Sequence, residues 1–120
     1  MTGRFTLPKS HILRSKTEID ALVERGAVLF RYPIKVYYLE REGFSRIMVS
    51  VPKRNFKRAV KRNLLKRRIR EAWRLNAGIL GGAAYDLLFV YLGREIESYE
   101  RIEATLTGLL RQLADQPSGK

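Results

Sequence analysis

Apolar positions along this chain follow two different rhythms, and the switches between them mark out its elements. Ile19, Leu22 and Val23 recur at helical spacing behind Ser15-Lys16-Thr17-Glu18, which has the Ser-x-x-Glu form of a capping box. In such a box the serine oxygen accepts from a free helix amide and the glutamate reaches back to the cap's own amide. With Gly26 as a left-handed stop, a short first helix over about residues 16–25 is expected. From Val28 to Val51 the pattern becomes that of strands. Val28-Leu29-Phe30 is a short one, Ile34 to Leu39 is rich in β-branched and aromatic residues, and Arg46 to Val51 follows a polar turn at Glu40 to Gly43. The last two are expected to pair with each other antiparallel, and Pro52, which cannot donate to a ladder, ends the run.

Residues 53–57 form a polar loop, and residues 58–76 read as the longest helix. Ala84 to Leu92 is a buried-strand candidate introduced by Gly81-Gly82. Ser98 can cap a last helix whose Ile102, Leu106, Leu109, Leu110 and Leu113 share one face. The order α-β-β-β-α-β-α, without internal repeat or linker, implies one α+β domain over residues 1–120, with helices packed on a small sheet. An ordered core of about 13–114 is expected between a flexible N-terminal segment and a polar C-terminal tail.

Charge changes this picture most. Twenty-four Lys and Arg face 12 Asp and Glu, a net charge of +12, and 11 of those basic residues lie between Lys53 and Arg74 against the single acid Glu71. That stretch alone carries +10, so the remainder is nearly neutral. A field of this kind attracts polyanions, either nucleic acid or anionic membrane. At roughly 100° per residue, Arg62, Asn63, Lys66, Arg67, Arg70 and Arg74 fall within one arc of about 140°. Leu64, Leu65, Ile69, Ala72 and Leu75 oppose them, with Trp73 at the border and Lys61 and Arg68 interrupting the apolar side.

Three readings of this helix compete. A merely solvated helix would alternate charge, whereas Arg62, Lys66, Arg70 and Arg74 repel at i,i+4 by roughly 0.2–0.5 kcal/mol per pair. A membrane-surface helix needs an apolar face free to insert, and this one is needed to cover the sheet. Nucleic acid fits best, because guanidinium groups present a planar fork to phosphate and Asn63 adds hydrogen-bonding capacity. The wheel does not separate DNA from RNA.

The run Ala59-Val60-Lys61-Arg62-Asn63-Leu64-Leu65-Lys66-Arg67-Arg68-Ile69-Arg70-Glu71 resembles the signature of the bacterial ribonuclease P protein family. The flanks agree: a strand ending in Val49-Ser50-Val51 before Lys53-Arg54, strands carrying Val36-Tyr37, and a Tyr85 to Val90 strand followed by an apolar helix. The likeness runs from about Leu13 to Leu113. It implies a four-stranded mixed sheet with helices and a left-handed βαβ crossover, a rare handedness. It also implies a partner, a catalytic RNA that carries the Mg2+ ions and cleaves the 5′ leader from precursor tRNA. The protein alone would bind no cofactor.

Carried over by position, the resemblance sets Arg62, Asn63, Lys66, Arg67 and Arg70 against the catalytic RNA, with Lys53, Arg54 and Arg74 extending that surface. Tyr37, Ser50, Ile19 and Val23 would line a leader cleft, where an aromatic ring can stack on an unpaired base. The family's first helix often supplies phenylalanines there. Ile19 and Val23 cannot stack, and Phe5 and Phe30 are the aromatic residues that would compensate. The loop from Lys53 to Arg58 is one residue longer than the family's usual length, and Pro52 replaces a common serine.

The chain shows no catalytic constellation of its own. His11 is the lone histidine, there is no cysteine, and Gly81-Gly82 lacks the Lys-Ser/Thr of a P-loop. Glu18, Asp20 and Glu24 suit helix solvation, and Asp86, inside a strand pattern, calls for a basic partner. No run reaches the roughly 20 apolar residues of a membrane span, and no signal peptide is evident, so a cytoplasmic protein without membrane or small-molecule partners is expected. A structural RNA-binding protein, such as a ribosomal component, would share the composition and the wheel.

Overall fold

The computed structural model describes residues 11–115; the N-terminal segment with Phe5 and the tail from Gln116 lie outside them. In chain order the elements are α1 (Lys16–Arg25), β1 (Ala27–Arg31), β2 (Ile34–Arg41), β3 (Arg46–Ser50), α2 (Ala59–Asn76), β4 (Ala84–Tyr91) and α3 (Tyr99–Ala114), with a 3₁₀ turn at Ala77–Leu80. The expected α-β-β-β-α-β-α order holds, the short first strand included.

Half of the capping box forms. Ser15 Oγ accepts from the Glu18 amide at 3.3 Å, but the Glu18 carboxylate accepts from Arg46 at 3.1 Å. Nor is Gly26 a left-handed stop. Its φ is −71°, and glycine is required because a Cβ would run into Leu22 O and lie 2.9 Å from Tyr38 O. The first constraint is the Leu22 carbonyl of α1 itself, and the second is the closeness of α1 to β2 at Tyr38. At α3, Ser98 Oγ accepts from the Arg101 amide at 3.1 Å, as a cap should.

The sheet order is β1-β2-β4-β3, which corrects the expected pairing of β2 with β3. The hairpin is β1–β2, turning at Tyr32-Pro33 with a cis peptide. β4 sits between β2, antiparallel, and β3, parallel. The physical reason lies in β4 itself: Ala84 to Tyr91 is buried along nearly its whole length, so both of its edges need partners. A parallel β3–β4 pair in turn requires a crossover, and α2 supplies it.

One face of the sheet carries the main core. Ile34, Val36, Ile47, Val49, Leu87 and Phe89 pack against Leu65, Ile69, Ala72 and Trp73 of α2 and the expected leucines of α3. Each such side chain contributes about 1.5–3 kcal/mol on burial, which is why α2 is held with its cationic side outward. Leu75, assigned above to the packing side, is instead 53% exposed, because at about 100° per residue it falls roughly 80° round the helix from Leu65, off the arc that Leu65, Ile69, Ala72 and Trp73 bury.

Tyr91 closes this core. Its hydroxyl donates to Glu95 O at 2.5 Å and accepts from the Glu97 amide at 3.2 Å, and burial pushes its pKa up to about 12. A phenol whose folded pKa lies above its unfolded value of 10.0 stabilises the fold below that pH, and this stabilisation fades as pH rises toward about 12. Tyr91→Phe should therefore cost about 1–2 kcal/mol at neutral pH and remove that alkaline loss. Urea titrations at neutral pH and near pH 11 check both; a variant as pH-sensitive as the parent would refute the assignment.

The second face is covered only in part. Leu22 of α1 packs with Leu13 and Leu88, and Ile19, Tyr37, Met48 and Val90 border them. The segment before α1 is tacked to the outer edge of β3 by the Leu13 amide on Ile47 O at 2.8 Å. Under α1, Arg46 holds Asp86 through two contacts of 2.8 Å, so Asp86 has the basic partner its position demanded.

Candidate RNA interface

Because the packing side of α2 is fixed by Leu65, Ile69 and Trp73, the remaining side chains must face outward. Lys61, Asn63, Arg67 and Arg70 are exposed, while Arg62, Lys66 and Arg74 are half-buried. Lys53 and Arg54 are exposed on the loop before the helix. None of Lys53, Arg54, Lys61, Lys66, Arg67 and Arg70 has an acidic partner within ion-pair distance among the described residues.

The ladder Arg62–Lys66–Arg70–Arg74 is not uniformly unpaired, however. At its start the Arg62 guanidinium donates to Phe56 O at 2.7 Å and Lys57 O at 2.9 Å. It thereby ties down the basic loop, next to an N-cap residue, Arg58, that makes no side-chain cap. At its end Arg74 is hydrogen-bonded to Glu71, and this guanidinium holds the Glu71 carboxyl below its ordinary pKa. Like-charge repulsion is thus relieved at both ends of the ladder, and the open charge concentrates at its centre. Arg68, on the packing side, reaches Glu97 O.

That centre adjoins the second sheet face. Lys66 and Arg70 line a groove of about 310 Å³ together with Arg14, Ile19, Ile47 and Met48. The groove therefore joins two sets of residues that the sequence placed apart, the cationic helix and the first-helix side of the cleft. Val23 lies farther along α1 and is 44% exposed.

Sheet register arranges the rest of this face in rows, since directly paired residues point the same way. Val28, Tyr37, Leu88 and Met48 form one row; Phe30, Lys35, Val90 and Ser50 form the next. Tyr37 and Ser50 thus share the face but sit in adjacent rows at different strands. Lys35 Nζ lies 4.8 Å from the centre of the Tyr37 ring, within cation–π range. Lys35 and Arg14 did not stand out in the sequence. For Lys35 the signal was present, as alternation with the core residues Ile34 and Val36, but its neighbours depended on register.

The other titratable candidates do not converge. His11 stacks on Phe44 with ring centres 4.3 Å apart, Glu18 serves Arg46, and Glu24 stays exposed. Among the described residues no three acidic or histidine side chains could hold a metal ion, and no helix is long and apolar enough to cross a membrane.

An α+β domain whose crossover helix carries an acid-poor cationic side, joined by a groove to an incompletely covered sheet face, is a nucleic-acid-binding protein in class. The particular family follows from comparison with known proteins. The family model described as Ribonuclease P matches residues 7–114. A ribonuclease P protein component from Porphyromonas gingivalis is 33% identical over 125 residues, covering 95% of this chain and 91% of that protein. One from Borreliella burgdorferi is 35% identical over 103 residues, covering 82% and 85%. The chain belongs to the ribonuclease P protein family. Its fold is that of the Staphylococcus aureus RNase P protein (TM-score 0.76, 20% identity, 89% of this chain and 97% of that one). The protein from Thermotoga maritima is similar at a TM-score of 0.75 and 22% identity, over 84% of this chain and 96% of that one.

Proposed function

We propose that this subunit of an RNA-based endoribonuclease binds the catalytic RNA through α2 and its preceding loop, and holds the 5′ leader of precursor tRNA on the second sheet face. The observation that carries the reading is the groove where Lys66 and Arg70 meet Ile19 and Met48. It makes the cationic helix and the open sheet face one continuous surface. Exposed Lys53, Arg54, Asn63, Arg67 and Arg70 are available to phosphates, and Arg62 acts partly by placing the loop. In the holoenzyme, Mg2+ held by the RNA would assist hydrolysis of the phosphodiester that joins leader to tRNA. This chain's residues bind and orient the strand and neutralise its charge.

The direct test adds purified protein to the catalytic RNA at low Mg2+ and follows leader removal from precursor tRNA. Stimulation is expected, and its absence would remove the reading. Tyr37→Ala should weaken binding of leader-bearing precursor by about tenfold, the worth of one stacked base, while leaving mature tRNA nearly unaffected. Equal loss for both, in a filter-binding titration, would take Tyr37 out of the leader site.

A further inference from the structure

We infer that the leader path extends beyond the groove to the β1 edge of the sheet, where Phe30 provides a second base-stacking position that only longer leaders reach. This rests on the leader reading above. Phe30 is a large aromatic side chain left 56% exposed on an edge strand, a placement that contributes little to the core. Pairing with Lys35 puts it on the same face as Tyr37 and Ser50.

The row Phe30–Lys35–Val90–Ser50 runs straight across all four strands and ends beside the loop that carries Lys53 and Arg54. α1 covers it only in part: Leu22 packs over Leu88 in the neighbouring row, and Val90 borders that cluster but stays half-buried, while Phe30 is exposed. The row thus has a hydroxyl at the catalytic-RNA side, an apolar floor at Val90, a cation in the middle and an aromatic ring at the far end.

Those are the parts of a single-strand nucleic-acid track: a π-face for a base and a positive charge for the phosphate beside it. Three strand spacings separate Ser50 from Phe30, roughly 14 Å, so a strand entering beside the basic loop must extend by more than one nucleotide to reach the ring. Lys35 is placed to serve both stacking positions, because it is the cross-strand neighbour of Phe30 and lies over Tyr37. The aromatic contact that Ile19 and Val23 cannot make on α1 is thereby supplied from the β1 edge of the same face.

The test measures binding of precursor tRNAs with a single-nucleotide leader and with a leader long enough to cross the sheet, to holoenzyme carrying Phe30→Ala, Phe30→Tyr or Tyr37→Ala. Phe30→Ala should weaken the long-leader precursor by about five- to tenfold and leave the single-nucleotide precursor unchanged, with Phe30→Tyr retaining affinity. Abasic substitution of the distal leader nucleotides should erase the difference between Phe30→Ala and the parent. Equal losses at both leader lengths, or no loss at either, would overturn the inference. A change in sedimentation with no change in leader affinity would overturn it too, by assigning Phe30 to contact between copies of the chain. If Tyr37→Ala weakens leader binding while Phe30→Ala does not, only the extension to β1 fails; if both are silent, the leader reading itself fails.

Discussion

Replacing Lys66, Arg67 and Arg70 together with alanine should flatten the salt dependence of catalytic-RNA binding by about two to three units in slope. Affinity at moderate salt should fall by at least about a hundredfold, since each lost charge-assisted contact is worth about tenfold or more. These residues form the centre of the α2 cationic side and lack an acidic partner among the described residues, so their removal leaves no buried charge behind. Folding should be intact, and relief of like-charge repulsion should leave the helix slightly more stable. Arg62→Ala should behave differently. It removes the hydrogen bonds to Phe56 O and Lys57 O, so part of its effect should come through misplacement of Lys53 and Arg54. RNA titrations over a range of salt separate the two. A triple variant that binds more weakly with an unchanged slope would show that these side chains do not meet phosphate.

Asp86→Ala should destabilise the fold by about 3 kcal/mol, the cost of stranding a mostly buried charge, and lower the melting midpoint by roughly 10 °C. Asp86 accepts both arms of the Arg46 guanidinium at 2.8 Å, and the two side chains are only 12% and 19% exposed. Hydrogen bonding to Asp86, and secondarily to Glu18, raises the Arg46 pKa; an arginine without that partner is still protonated at neutral pH, so Arg46 remains charged when Asp86 is lost. The same guanidinium reaches Glu18, so α1 is tied through it to β3 and β4. The variant should therefore also bind leader more weakly, as α1 loosens over the sheet face. Replacing both partners with apolar residues of similar volume should recover much of the stability. A melting midpoint within a degree or two of the parent for Asp86→Ala would mean that the pair has no structural role.

The elements and the chemistry of the cationic helix were legible along the chain because both depend on local spacing. Ser15 and Ser98 cap the helices that follow them, and Leu65, Ile69 and Ala72 set the inward side of α2 by their period alone. Asp86 could be marked as needing a cation, since a carboxylate in an apolar strand must be paired. Strand order could not be read in this way. Polar Glu40 to Gly43 resembles a hairpin turn whether or not its flanks pair, and only the double-sided burial of β4 between β2 and β3 overrides that local signal. Gly26 likewise fits a left-handed stop by its place after the helix, whereas its φ of −71° and the Leu22 O and Tyr38 O that leave no room for a Cβ are set by the folded backbone.

What the amino-acid sequence determined by itself is the amphipathic split of α2, the excess of charge between Lys53 and Arg74, and the family signature that goes with them. Tertiary structure alone decided which of those charges remain open. Arg62 is engaged by backbone carbonyls and Arg74 by Glu71, while Lys66 and Arg70 are left facing a groove shared with α1 and β3. It also decided that Phe30, Lys35, Val90 and Ser50 stand in one row. Charge and periodicity are properties of neighbouring residues, whereas register and pairing depend on contacts between strands far apart in the chain, which exist only once the core has closed.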